Sequence, residues 1–112
     1  MLSRPAVELM TTNRLPPEQL AAREAWARNA AHLGYGLGQH GGWGFGMAVG
    51  TYRGDYAPTG QFGWDGGAGT TTYVDPHNQL VGILLTQTGM STPDSARAIH
   101  DFWTTLYQAL DH

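Results

Sequence analysis

The chain contains neither cysteine nor lysine, and each absence excludes a class of chemistry. Without cysteine there is no disulfide, no thiolate metal site and no cysteine nucleophile. The six positively charged residues are all arginines, so no lysine amine can serve as a general base. The net charge is −3 and the arginines form no basic cluster, which argues against nucleic acid or an anionic membrane as a partner.

Long apolar runs are also missing from the sequence. Residues 1–5 lack the apolar core of a signal peptide, and no later run is long enough to cross a bilayer. We therefore expect a soluble chain, and the sequence leaves its compartment open. No His-x-x-x-His pair accompanies the lack of cysteine, so neither a metal nor a cofactor is expected. The 112 residues make one small domain or a piece of a larger one.

Helix signals dominate residues 1–33. Ser3 can cap a short helix with Pro5 in its first turn, and the alanine-rich run from Gln19 to Leu33 favours a second helix. Glycine then becomes frequent, and residues 34–90 are predicted to form antiparallel strands. The first of these carries bulky residues that alternate with small ones, so its bulky face is predicted to be core. Those residues are Trp43, Phe45, Met47 and Val49.

Two further strands and a helix complete the predicted fold. The strands are Thr70–Val74 and Leu80–Gln87, joined by a turn at Asp75–Asn78. Residues 91–112 form the helix, which begins with Thr92, Pro93 and Asp94 as cap and first turn. Its apolar face consists of Ala96, Ile99, Phe102, Trp103, Leu106, Ala109 and Leu110. The predicted class is α+β, a three-stranded antiparallel meander with an N-terminal helical segment and a C-terminal helix packed on the sheet.

The glycine-rich stretch Gly63–Gly69 lies at the centre of the chain. Its glycines remove side chains where backbone must come close to another group, and exposed N–H groups placed in this way can bind an oxyanion. The same pattern also fits a glycine-rich hairpin that has no chemistry, because glycine in strands often marks a bulge.

Four segments, in this order and spacing, resemble the C-terminal part of the serine β-lactamase, penicillin-binding-protein and esterase superfamily. They are Leu2–Asn13, Gly42–Val49, Phe62–Thr70 and Asp75–Gln87, so that the resemblance covers residues 2–110. It implies a partial β-lactamase-like fold, and cleavage of an ester or amide through an acyl-serine in the complete protein.

Members of this superfamily resemble one another in three motifs, and only the third has a counterpart here. The motifs are Ser-x-x-Lys, Tyr-x-Asn or Ser-x-Asn, and a Lys-Thr-Gly-like triplet at a strand edge. The triplet corresponds to Trp64-Asp65-Gly66, which Gly67 follows. By this resemblance the backbone N–H of Gly67 is one of two oxyanion-hole donors, and Trp64, Asp65 and Gly66 bind the substrate.

The residues within the triplet also indicate a substrate class. Penicillin-recognising members have lysine or histidine where this chain has Trp64, which cannot bind a carboxylate by charge. Certain esterases of the superfamily have Trp-Gly-Gly there, so the resemblance implies a small ester or amide substrate and an uncharged pocket. Asp65 is unusual at the middle position of the triplet. It is either a structural residue that bonds nearby backbone or an acid–base group.

The other two motifs are missing from the chain. No serine begins Ser-x-x-Lys, and no tyrosine is followed two residues later by asparagine, so the chain alone is predicted to be inactive. Two hypotheses remain. The chain is the C-terminal segment of a serine hydrolase whose nucleophile lies elsewhere, or it is a non-catalytic remnant or binding module. In the second case the apolar strand edge at residues 80–87 favours a homo-oligomer.

Overall fold

The structure is a computed structural model that describes residues 1–29, 41–53, 56–89 and 93–110. Its helices are α1 (Arg4–Met10), α2 (Pro17–Asn29) and α3 (Pro93–Gln108). Its strands are β1 (Gly42–Trp43), β2 (Ala48–Val49), β3 (Phe62–Gly66), β4 (Thr70–Asp75) and β5 (Leu80–Leu84). The α+β class with an antiparallel sheet is confirmed. The end of the predicted second helix, beyond residue 29, lies outside the described residues.

The sheet has five described strands in the order β1-β2-β3-β4-β5, not the three that the sequence predicted. Residues 43–49, expected as one strand, fold back on themselves because the Gly44 N–H donates to the Met47 carbonyl at 2.8 Å. Gly46 has a φ of +83°, in the left-handed region that glycine adopts without strain. The prediction that Phe45 belongs to the core is therefore wrong, since it lies exposed in this tight turn. The remaining additional strand is β3, which contains the predicted triplet.

The side chain of Asn13 ties the N-terminal helices to the edge of the sheet. Its Oδ1 accepts hydrogen bonds from the backbone N–H groups of Leu15 and Trp43, both at 3.1 Å. A Cβ on Gly42 would collide with the Asn13 side chain, so the close approach requires glycine. The loop after α1 is therefore fixed against β1.

One face of the sheet is covered by α3, as its apolar periodicity predicted. Ile99, Trp103 and Tyr107 of the helix form the core cluster with Tyr73 of β4. Tyr107 was not among the predicted core positions. It can be buried because its hydroxyl donates a hydrogen bond to the Asp75 carboxylate. The predicted core position Ala109 is instead exposed, since α3 ends one residue before it.

Trp103 fits between β4 and β5. Its indole Nε1–H donates to the buried Thr71 Oγ1 at 2.9 Å, which satisfies both polar groups inside the core. A Cβ on Gly82 would collide with the Trp103 ring and come within 3.0 Å of Leu106 Cδ2. The absence of a side chain on Gly82 therefore makes room for the helix.

Asp75 ends β4 inside a buried hydrogen-bond network. Its Oδ1 accepts from the backbone N–H groups of His77 at 2.9 Å and Asn78 at 3.1 Å. Its Oδ2 accepts from Asn78 Nδ2 at 2.7 Å and from the Tyr107 hydroxyl at 2.8 Å, and Gln61 Nε2 donates to that hydroxyl at 3.1 Å. Burial alone would raise the pKa of Asp75, but these hydrogen bonds together hold it below its ordinary value.

The opposite face of the sheet is exposed at β5. Val81 and Ile83 project from this face, and each is more than half exposed. Only the α3 side is covered, and no described element lies over the other. None of the described helices is long and apolar enough to cross a membrane.

Candidate functional site

The predicted triplet ends β3 and leads into a tight turn. The Gly69 N–H donates to the Gly66 carbonyl at 3.0 Å and closes a four-residue turn from Gly66 to Gly69. Gly69 has a φ of +90°, and a Cβ there would collide with the carbonyl of Thr88. Glycine is therefore required at this position by conformation and by space.

Gly67 lies at the exposed tip of this turn. The space around it is open, since nothing lies within 4 Å of the position that a Cβ would occupy. Its backbone conformation is not in the left-handed region. Solvent, or a substrate, can therefore approach this peptide, and an alanine could replace the glycine without steric conflict.

The chain after β5 supports the turn from the side. The Thr86 hydroxyl donates to the Gly69 carbonyl at 2.6 Å, and the Thr88 N–H donates back to Thr86 Oγ1 at 3.3 Å. Sequence reasoning treated Thr86 as part of a strand and missed this contact. Because the contact joins residues 17 apart in sequence, no local pattern indicates it.

Trp64 points away from α3, on the same face as Thr72 and Ile83, with which it is in register. Its side chain is 40% exposed, and its ring packs edge-on against Trp43 with centroids 4.9 Å apart. We call Trp43 and Trp64 together the aromatic wall. Sequence reasoning assigned Trp43 to the core and did not place it next to the triplet, because the two tryptophans are 21 residues apart.

Arg23 of α2 contacts the aromatic wall at Trp43. Its guanidinium lies 5.3 Å from the centre of the Trp43 ring, and its Nε–H donates to the Gly41 carbonyl at 3.1 Å. Partial burial lowers the pKa of Arg23, and the nearby Tyr73 opposes that shift. An arginine remains protonated in proteins, so a positive charge lies over the Trp43 ring.

Asp65 lies on the α3 side of β3, opposite to Trp64. Its side chain is only 3% exposed, and Oδ2 accepts a hydrogen bond from the Tyr73 hydroxyl at 3.4 Å. Burial, followed by the proximity of Asp65, raises the pKa of Tyr73 well above its ordinary range. The hydrogen bond from Tyr73 supports the interpretation of Asp65 as a structural residue. The contact of Asp65 with substrate stays a prediction. Neighbouring residues on a strand face opposite sides, which is the signal that sequence reasoning overlooked.

The described residues near the turn include no serine side chain. Ser3 lies at the N-terminus of α1, where its hydroxyl accepts from the Ala6 N–H at 3.3 Å as a helix cap. The side chains of the other two serines lie outside the described part of the chain. Across the described ranges, no three His, Asp or Glu side chains are close enough to hold a metal ion.

Comparison with known proteins gives one family and one fold. A family model for beta-lactamase matches residues 2–102. The chain is similar to two solved variants of simvastatin synthase (LovD) from Aspergillus terreus. The LovD9 mutant superposes with a TM-score of 0.77 at 20% identity, covering 96% of this chain and 29% of that one. The LovD6 mutant superposes with a TM-score of 0.67 at 20% identity, covering 96% of this chain and 30% of that one. A search of curated proteins gives no match.

These similarities have a limited reach. At 20% identity the two superpositions show the fold alone. The chain spans less than a third of the length of either LovD variant, so most of such a protein has no counterpart here.

Proposed function

Because the chain belongs to the beta-lactamase family, we propose that it is the C-terminal segment of a serine hydrolase that cleaves a small ester or amide through an acyl-serine. In this proposal the segment supplies the strand β3, one oxyanion-hole donor and one wall of the substrate pocket. The nucleophile and its base belong to a part of the protein outside this chain.

The observation that carries the proposal is the exposed turn at Gly67. Negative charge develops on the carbonyl oxygen during acyl transfer, and a backbone N–H held in place stabilises that charge without reorganisation. The Gly69 N–H donates to the Gly66 carbonyl and the Thr86 hydroxyl donates to the Gly69 carbonyl, so the turn is held on both sides, and Gly67 at its tip is exposed.

The aromatic wall supports an uncharged pocket. Trp64 is exposed three residues before Gly67, and it packs edge-on with Trp43. Neither indole can form an ion pair with a substrate carboxylate, whereas both offer apolar surface to an acyl or alcohol group. We propose that Trp64 and Gly66 bind the substrate directly. Asp65 contributes through its backbone in β3, because its carboxylate is buried beside Tyr73.

The test compares two substitutions of one residue in the complete protein. Reading the DNA upstream of Met1 for an in-frame Ser-x-x-Lys and Tyr-x-Asn identifies that protein, which is then expressed and assayed with p-nitrophenyl esters. Gly67→Pro removes the N–H, and Gly67→Ala keeps it. We expect the proline variant to lose about 10²–10³ in kcat and the alanine variant to stay near the parent.

Circular dichroism of both variants separates a lost donor from a lost fold. A folded proline variant with the parent's kcat would contradict the role of Gly67. A complete protein without the two upstream motifs would refute the catalytic proposal, and it would favour the alternative of a non-catalytic remnant or a self-associating binding module.

A further inference from the structure

The turn that carries Gly67 fixes the direction of its N–H group through a single peptide. The Gly69 N–H donates to the Gly66 carbonyl at 3.0 Å, so this carbonyl points into the turn. The peptide between Gly66 and Gly67 is trans, and the C=O and N–H groups of a planar trans peptide point in opposite directions. The Gly67 N–H therefore points away from the interior of the turn, and its direction depends on where Gly69 lies.

Gly69 is held in place by the segment that follows β5. The Thr86 hydroxyl accepts from the Thr88 N–H at 3.3 Å and donates its own proton to the Gly69 carbonyl at 2.6 Å. A Cβ on Gly69 would collide with the Thr88 carbonyl, so the segment also touches Gly69 directly. The Gly67 carbonyl oxygen lies 3.7 Å from the position that a Cβ on Gly89 would occupy. The segment from Thr86 to Gly89 thus runs along the turn as far as Gly67.

We propose that Thr86 is a positioning residue for the oxyanion donor, an inference that rests on the proposed function. Its hydroxyl fixes Gly69, the Gly69 N–H holds the Gly66 carbonyl, and the peptide that carries this carbonyl directs the Gly67 N–H. A donor stabilises the developing negative charge only if it is already in place, and small displacements lower the rate. Because Thr86 acts through the turn and not on the bound substrate, its hydroxyl should affect kcat and not KM.

Two substitutions of Thr86 in the complete protein test this role. Thr86→Val keeps the shape of the side chain without its hydroxyl, and Thr86→Ser keeps the hydroxyl. With p-nitrophenyl esters we expect Thr86→Val to lower kcat about tenfold and to change KM less than about twofold. Thr86→Ser should recover most of the parent's kcat. The matched control is Thr105→Val at an exposed position of α3, which should leave kcat unchanged.

A double-mutant cycle shows whether Thr86 acts through Gly67. In the Gly67→Pro background the donor is gone, so adding Thr86→Val should change kcat less than about twofold. The same loss in both backgrounds would overturn the proposal, as would a folded Thr86→Val variant with the parent's kcat. A folded Gly67→Pro variant with the parent's kcat would instead refute the oxyanion role of Gly67, and with it the proposed function.

Hydrogen exchange at the Gly69 amide measures the same link without catalysis. Loss of the Thr86 hydroxyl should let the turn open more often, so exchange should accelerate at least about threefold in Thr86→Val and stay near the parent in Thr86→Ser. Unchanged exchange in a folded Thr86→Val variant would overturn the positioning role whatever the activity. Faster exchange in a complete protein that hydrolyses no ester would refute the proposed function, and the role of Thr86 would fall with it.

Discussion

Replacing Asp75 by asparagine should destabilise the fold and remove part of its acid sensitivity. The carboxylate accepts four hydrogen bonds, and an amide can keep only those on its oxygen. With that oxygen toward the backbone N–H groups of His77 and Asn78, the new NH₂ group faces two donors, Asn78 Nδ2 and the Tyr107 hydroxyl. Hydrogen bonds to a charged group contribute about 1.5–3 kcal/mol each, so we expect a loss of about 3 kcal/mol in the free energy of unfolding.

The pH dependence gives this prediction a second signature. Because the pKa of Asp75 is lowered in the folded state, its contribution is complete above the pKa of the unfolded chain, about 3.9, and is lost as the pH falls through the folded value. The parent should therefore lose this contribution below about pH 4, whereas Asp75→Asn should lack that part of the decline.

Urea unfolding followed by circular dichroism measures both effects. A loss of about 3 kcal/mol lowers the urea midpoint by about 2 M at a slope typical of a small domain. The matched control is Asp101→Asn, which changes an exposed carboxylate on α3 and should shift the midpoint little. An Asp75→Asn variant with the parent's midpoint and the parent's acid profile would refute the role assigned to the network.

Two further substitutions test how the sheet is packed. Gly82→Ala should reduce stability by about 1–3 kcal/mol in urea unfolding, because the new methyl group collides with the Trp103 ring, whereas Gly67→Ala in open space should not. Asn13→Ala should cost about 1–3 kcal/mol, because the part-buried N–H of Trp43 loses its acceptor, and hydrogen exchange at that amide should accelerate. Equal midpoints for Gly82→Ala and Gly67→Ala, or unchanged exchange at Trp43, would contradict these assignments.

Local periodicity was enough to predict α3 and the β4–β5 hairpin. The apolar positions of α3 repeat at helical spacing, and the Asp75–Asn78 turn separates two strand-like runs. The tight turn between β1 and β2 was missed, because alternation of glycine with bulky residues also describes one continuous strand. A bend at such a site depends on hydrogen bonds such as that from Gly44 to Met47, which residue type alone does not indicate.

Prediction of the candidate site was limited by contacts between distant residues. The position of the turn at Gly67 followed from the glycine-rich stretch and the family resemblance. The aromatic wall and its contact with Arg23 depend on how α2, β1 and β3 pack together, and no spacing in the sequence encodes that arrangement. The inward direction of Asp65 could have been predicted from strand alternation once β3 was recognised.

The alternation of β3 and β4 also has a consequence for how such a protein can evolve. Trp64 and Thr72 face one side of the sheet, and their immediate neighbours Asp65 and Thr71 are buried on the other. Substitutions on the side of Trp64 and Thr72 can therefore accumulate without disturbing the packing against α3. Under the proposed function, a library randomised at Trp64 and its neighbour Thr72 would vary the substrate-facing side while the packing against α3 stays unchanged.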